Sequence, residues 1–428
     1  MADGLVIAAP SSGSGKTVIT LGLLAALRRR GIAVAGAKTG PDYLDPRFHE
    51  RATGKPCLNL DPWAMRRALV SDLAARPDAD LVIIEGVMGL FDGPLAGGGS
   101  TANLAARLRL PVVLVVDAGK QGQSIAALVE GFARHRSDVM VGGVIVNRLA
   151  SDRHRNLVAS ALAASGIPRL GAVMSNARLE LPSRHLGLVQ ADEIAEIDVM
   201  VEQAAAAMTE TVDLDAVLAL ARPIAAAPAA APLPPLGQRI AIASDIAFGF
   251  TYRHLLDGWN RSGATLVPFS PLEDEAPALD ADAVFLPGGY PELHAARIAA
   301  NDGFMLGLAR AARRGALIYG ECGGYMVLGD SLTDRGGNRH RMAGLLPHAT
   351  SFAAPRLHLG YRRLGHDSPL PWPAALRGHE FHYASLAAEH GGAALFAASD
   401  SEGRELPPMG TRIGRVMGSF AHIVDGEW

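Results

Sequence analysis

Two short segments place reactive residue types at spacings that chemistry can use. Residues 9–17 read A-P-S-S-G-S-G-K-T, between the apolar stretch Leu5–Ala9 and the helix-forming run Val18–Arg29. A glycine-rich turn lets backbone N–H groups converge on phosphate oxygens, and the helix N-terminus adds a favourable dipole. Ser12, Gly13, Ser14 and Gly15 would cradle a nucleotide phosphate, Lys16 would reach the β/γ-phosphates and Thr17 would ligate Mg²⁺. The spacing departs from G-x₄-G-K-T, where Pro10 would hold the first glycine position. It fits a loop one residue longer that begins at Ala9. The second segment, G-A-L-I-Y-G-E-C-G-G-Y-M-V-L-G, sets Cys322 between Gly320 and Gly323–Gly324 after an apolar run. Such a nucleophile elbow permits a tight turn and favours thiolate at a helix start.

Each segment needs partners. L-V-I-I-E-G-V-M-G-L-F-D-G ends an apolar strand at Glu85, the candidate Mg²⁺ carboxylate, with Asp92 seven residues on. A-K-T-G-P-D-Y-L-D-P places Lys38, Asp42 and Asp45 on the same strand-end crevice. Lys38 would stabilise charge in phosphoryl transfer, Asp42 would share the metal, and Asp45 and Asp92 would position substrate. Asn147 in G-V-I-V-N-R ends another strand, where it either reads an adenine edge or forms a turn. Backbone N–H groups of Gly323 and of Gly289, in F-L-P-G-G-Y-P-E, would make an oxyanion hole for the thiol. Its base is open among His379, His382 and His422, while Cys57 reads as inert packing.

These residues must be held by folded elements, and the composition allows that. The chain has 428 residues, 49% hydrophobic and 19% charged, a balance unlike disordered chains. A formal charge of −3 gives no global attraction to nucleic acid or an anionic membrane. No apolar run approaches the ~18–20 residues that span a bilayer, and the start of the chain reads as a strand, not a leader. Two cysteines cannot build a disulfide framework, which points to a reducing, cytoplasmic setting. Residues 223–237, within RPIAAAPAAAPLPPLG, read as a proline-rich linker between units 1–222 and 238–428. In both units short continuous apolar strands alternate with helical runs. The fold class expected is therefore α/β: two doubly wound, mostly parallel sheets.

Taken together, the motifs resemble a known family. A dethiobiotin-synthetase-like ATPase half (APSSGSGKT, KTGPDYLDP, EGVMGLFDG) precedes a class I glutamine amidotransferase half (PGGYPE, GECGGY, GHEFHY, SFAHI). That order resembles the cobyrinic and hydrogenobyrinic acid a,c-diamide synthases of cobalamin biosynthesis. The resemblance implies that Cys322 attacks glutamine with His422 as its base. It implies that ATP, with Mg²⁺, converts the a and c acetate carboxylates of a corrinoid ring to acyl phosphates that ammonia displaces. Lys38 and Arg184, in P-S-R-H-L-G-L, would anchor substrate carboxylates. Ordinary class I amidotransferases carry a glutamate two residues after the histidine, where this chain has Val424, so a Cys–His pair is implied. The same motifs leave open a cobyric acid synthase or a Ni-sirohydrochlorin a,c-diamide synthase. A different class, a partner-regulating P-loop ATPase with an inactive glutaminase half, would need no working thiol. A homodimer is compatible with either reading.

Overall fold

The computed structural model describes residues 2–184 and 187–427. It divides into two compact units, residues 1–63 with 67–230, and residues 64–66 with 231–428.

The first unit is built on an eight-stranded sheet. Its strands β1 (Asp3–Ala8), β2 (Val34–Thr39), β3 (Leu58–Leu60), β4 (Leu81–Glu85), β5 (Val112–Asp117), β6 (Val141–Leu149) and β7 (Arg169–Met174) lie in the order β3-β2-β4-β1-β5-β6-β7. These strands run parallel, and Arg222–Pro223 adds an antiparallel edge to β1. Burial on both faces explains why β1, β4 and β5 read as unbroken apolar runs. Helix α1 (Lys16–Arg29) follows β1 and buries Ile19, Leu23, Leu24 and Leu27 against the sheet and the helix Ile197–Thr211. Helix α2 (Asp45–Thr53) follows β2 and buries Phe48, His49 and Ala52. The C-terminal ends of β1, β2 and β4 therefore share one edge, where a parallel sheet presents its ligand crevice.

Part of the proline-rich segment packs as structure. Ile224 is buried on the first unit, with side-chain atoms against Gly4. Leu233 and Leu236 are buried, and Trp372 Nε1 donates to the Pro234 carbonyl within the second unit.

The second unit carries a ten-stranded sheet with a parallel and an antiparallel part. The parallel part is ordered Thr265–Phe269, Arg239–Ala243, Ala283–Leu286, Leu317–Glu321, Val416–Ser419. It continues antiparallel through Glu405–Ile413, Ala393–Ser399, His358–Gly365, Ala375–His382 and His422–Glu427. The α/β class with a doubly wound sheet in each unit holds. The antiparallel extension is an addition from half-buried strands whose polar residues interrupt any apolar run, as in His358–Gly365. The core of this unit gathers Phe248, Phe304, Leu308, Ile318, Tyr325 and Val327.

Candidate active sites

The phosphate-loop site forms at the β1–α1 turn. Gly13 and Gly15 adopt φ of 79° and 87°, which side chains rarely tolerate. A Cβ on Gly15 would stand 2.3 Å from Asn147 Nδ2. That amide donates to the Ser14 carbonyl at 3.0 Å, and its Oδ1 accepts the Arg148 N–H at 2.9 Å. Asn147 thus props the loop from beneath, and both ends of its amide are engaged. Ser12 and Gly13 are exposed at the loop tip, while Ser14 is buried. Lys16 Nζ donates to the Met88 carbonyl at 2.6 Å, and burial lowers its pKa.

A buried ionic cluster lies beside the loop. Thr17 Oγ1 donates to Glu85 Oε1 at 2.7 Å and stands 3.5 Å from Asp45 Oδ2. Lys38 Nζ bonds Asp45, lies 3.1 Å from Glu85 Oε1, and donates to the Gly86 carbonyl at 3.1 Å. Burial alone would raise the Glu85 pKa. Lys38, then hydrogen bonds from His49 and Thr17, outweigh it and hold this carboxylate well below its ordinary value. Burial likewise opposes the charge on Lys38, and Asp45 and Glu85 overcome it, so its pKa is raised.

Other residues singled out in the sequence have structural partners. Asp42 accepts the N–H groups of Leu44 and Asp45 at 2.8 and 3.0 Å, and so holds the turn into α2. Asp92 accepts the Gly89 N–H at 2.9 Å. Arg184 pairs with Glu193 at 2.8 Å. The sequence reading missed His49. Its Nε2 lies 2.7 Å from Glu85 Oε2, and its Nδ1 lies 3.4 Å from Cys57 Sγ. His49 stands four residues after Asp45 in α2, one helical turn on, a spacing that offered a signal.

Hard oxygen donors converge here: Thr17 hydroxyl, Glu85 and Asp45. Burial and the Asp42 charge push Asp45 up against the pull of Lys38, a strain that a divalent cation would relieve. The donor set fits Mg²⁺.

The thiol site forms where the strand Leu317–Glu321 turns into the helix Gly323–Leu328. Cys322 takes φ 46°, ψ −105°, a strained conformation for a residue with a side chain. Its N–H donates to the Ser419 carbonyl at 2.8 Å, which ties the elbow to the neighbouring strand. A Cβ on Gly288 would lie 2.3 Å from His422 Cε1, 3.0 Å from its Nε2 and 3.2 Å from Cys322 Cβ. Imidazole and thiol therefore flank one point. A Cβ on Gly323 would stand 3.0 Å from the Gly289 N, so these two glycines lie against each other beside the elbow. Burial raises the Cys322 pKa, Glu292 adds to this, and the Gly323 N–H opposes it. Burial thus disfavours the thiolate, and the sulfur needs a base.

Of the three histidines, the structure sets His422 next to the thiol. His382 is engaged at Nδ1 by the Ala384 carbonyl (3.0 Å) and at Nε2 by Glu380 (2.8 Å). His379 pairs with His422 across adjacent strands, and burial lowers its pKa to about 3. His358, Glu380 and His382 bring ligand atoms within 4.8 Å of one another, but Arg362 already holds the second Glu380 oxygen at 2.7–2.8 Å. Glu321 was also missed. It is buried, its Oε1 accepts the Ile423 N–H at 3.0 Å, and its Oε2 lies 3.6 Å from His422 Nδ1.

Comparison with known proteins agrees with this pairing of sites. Residues 5–189 match the CobQ/CobB/MinD/ParA nucleotide binding domain, and residues 239–427 match the CobB/CobQ-like glutamine amidotransferase domain. The chain is 54% identical to the hydrogenobyrinate a,c-diamide synthase of Brucella suis over 99% of its length and 98% of that protein. It is 51% identical to that of Rhizobium meliloti, over 99% of each chain. The chain belongs to the hydrogenobyrinate a,c-diamide synthase family. Membership makes it a glutamine-dependent amidating enzyme of the ligase class. Among the described residues no helix is long and apolar enough to cross a membrane. At Val424, where other class I enzymes carry an acid, this member has a buried apolar side chain, and the backbone carbonyl of Val424 lies 2.9 Å from His254 Nε2.

Proposed function

We propose that this protein amidates the a and c acetate side chains of hydrogenobyrinic acid, using ATP and ammonia drawn from glutamine. The observation that carries this reading is a strained thiol beside His422 on the same chain as a phosphate loop hydrogen-bonded to Glu85.

At the thiol, His422 takes the Cys322 proton as sulfur attacks the glutamine side-chain carbonyl. The N–H groups of Gly289 and Gly323 receive the developing oxyanion. When the C–N bond breaks, His422 returns the proton to the leaving nitrogen, and water then hydrolyses the thioester to glutamate. Because burial disfavours a free thiolate, base and nucleophile act as one unit.

At the phosphate loop, the ring carboxylate attacks the γ-phosphorus and ADP leaves. Lys16 and Lys38 neutralise charge on the transferred group, and Thr17, Glu85 and Asp45 would hold Mg²⁺. When bound there, Mg²⁺ would supply positive charge that offsets the charge of the phosphates. Ammonia then attacks the acyl carbon and phosphate departs. Bulk ammonia is mostly ammonium near neutral pH and is not nucleophilic, which explains one enzyme making both reagents. Asp92 and Arg184 would face the substrate, and Asn147 acts by holding the loop. A working thiol also requires a reducing compartment, which supports a cytoplasmic setting.

The test is Cys322→Ala. Amidation driven by glutamine should vanish while amidation driven by ammonium salts persists. Full glutamine-driven activity in this variant would overturn the assignment of the nucleophile.

A further inference from the structure

The position that usually supplies the third member of the glutaminase triad is Val424, and nothing there can carry charge. Yet an imidazole that takes a thiol proton inside a buried site becomes a cation, and a buried cation without a partner is strongly disfavoured. The strand before the nucleophile supplies the missing charge. We infer that Glu321 is the positioning residue that orients His422 and stabilises its protonated form.

The geometry is specific. Glu321 ends the strand Leu317–Glu321, one residue before the nucleophile, and its backbone pairs in register with Ser419 on the next strand. The chain then passes through Phe420 and Ala421 and starts the last strand at His422. The carboxylate reaches across this turn at two points. Oε1 accepts the Ile423 N–H at 3.0 Å, which fixes the backbone that carries His422. Oε2 lies 3.6 Å from Nδ1 of the ring. A charge-assisted N–H···O bond is about 2.7–2.9 Å long, so the pair closes by about 0.7–0.9 Å once His422 takes the proton. With Nδ1 facing a carboxylate, the proton of the neutral ring belongs on Nδ1, which leaves Nε2 as the acceptor for the thiol. The tautomer needed for catalysis is thereby selected.

His422 is faced by Cys322 at the elbow and by His379 on the adjacent strand, which burial keeps neutral above about pH 3. Glu292 acts on Cys322 from the Gly289 loop. Tyr319, two residues before Glu321 on the same strand, is held protonated by burial and then by the Glu321 charge. It therefore presents a neutral hydroxyl to that carboxylate. Glu321 and Cys322 are consecutive, so the strained elbow that sets the sulfur on one side of the imidazole delivers the acid to its Nδ1 side.

This inference rests on the glutaminase reading, and Glu321→Gln tests it apart from that reading. The amide can still accept the Ile423 N–H, but it carries no charge. Glutamate release from glutamine should fall about 10–100-fold in kcat, with KM for glutamine within about threefold of wild type. Without a negative charge beside it the protonated ring is less stable, so the acidic limb of the kcat/KM profile should move to lower pH. Amidation driven by ammonium salts should be unchanged, and the retained KM for glutamine shows that the second unit folds. As a second readout, the pH dependence of Cys322 alkylation by iodoacetamide should shift with the glutaminase profile. Wild-type kcat and an unmoved acidic limb in Glu321→Gln would overturn the role. So would a fall in kcat with neither pH profile displaced, since loss of packing alone gives that result. If wild type instead releases no glutamate from glutamine, the glutaminase reading fails, whatever Glu321 does.

Discussion

Thr17 Oγ1 and Glu85 Oε1 are joined by a 2.7 Å hydrogen bond between the start of α1 and the end of β4. The hydroxyl of the phosphate loop and the buried acid are thus one unit, with Lys38 and His49 closing its other sides. Because β1 and β4 are parallel neighbours, with Ile7 opposite Glu85 in register, the sheet itself sets this contact. Rotamer freedom has little part in it.

Replacing Glu85 by Gln should therefore disable one chemistry and spare the other. Gln keeps the volume and can accept from Thr17, but it removes the charge that balances Lys38 and would hold a divalent cation. ATP-dependent amidation should fall by about 100-fold or more, roughly 2.7 kcal/mol of transition-state stabilisation, in steady-state assays with glutamine or ammonium. Glutamate release without ATP should stay within about twofold. Unchanged amidation would remove Glu85 from the phosphoryl-transfer site.

Gly288 separates the imidazole from the elbow, and a methyl group there has no room. With a Cβ only 2.3 Å from His422 Cε1, Gly288→Ala must displace the ring. A misplacement of about 1 Å can cost about 100-fold in rate. Glutaminase activity should fall by that order, with ammonium-driven amidation retained. An alanine variant with wild-type glutaminase kinetics would show that the ring does not need this position.

Much of this was legible from residue order alone. Continuous apolar runs marked the parallel strands because both of their faces are covered, and the glycines around Lys16 and Cys322 announced turns that only glycine-rich backbone makes. The antiparallel strands from His358 onward were not legible, since half-buried strands mix arginine and histidine with apolar residues and lose the run. His49 and Glu321 escaped for a different reason. Each acts through a partner distant in sequence, Glu85 and His422; the helical spacing from Asp45 to His49 marks a shared face but not the pairing with Glu85. Asn147 was read as ending its strand, but β6 continues to Leu149, and the neighbour of Asn147 in space is Ser14, 133 residues away.

Acid should loosen the second unit in a predictable window. His379 is buried with its pKa lowered to about 3, first by burial and then by His422, so it stays neutral when folded but protonates near 6.5 when unfolded. Its contribution is present above pH 6.5 and is lost as pH falls from there toward 3. Burial would raise Glu380, but His382 and then Arg362 hold it at about 2, so its contribution is lost as pH falls from about 4.5. Each such proton adds a slope of about 1.4 kcal/mol per pH unit. Thermal melts between pH 7 and 4 should show falling Tm, and His379→Gln should flatten the part between pH 6.5 and 4.5. Equal slopes in both proteins would show that His379 takes up its proton in the folded state.

The central claim is that nitrogen freed at Cys322 ends on carboxylates activated at the phosphate loop. Purified protein is incubated with ATP, Mg²⁺, hydrogenobyrinic acid and glutamine carrying heavy nitrogen only in its side-chain amide, and the ring product is weighed by mass spectrometry. The account predicts a product with two amides, both bearing the label, formed only when ATP is present. A ring recovered unamidated, or amidated without label, would contradict it.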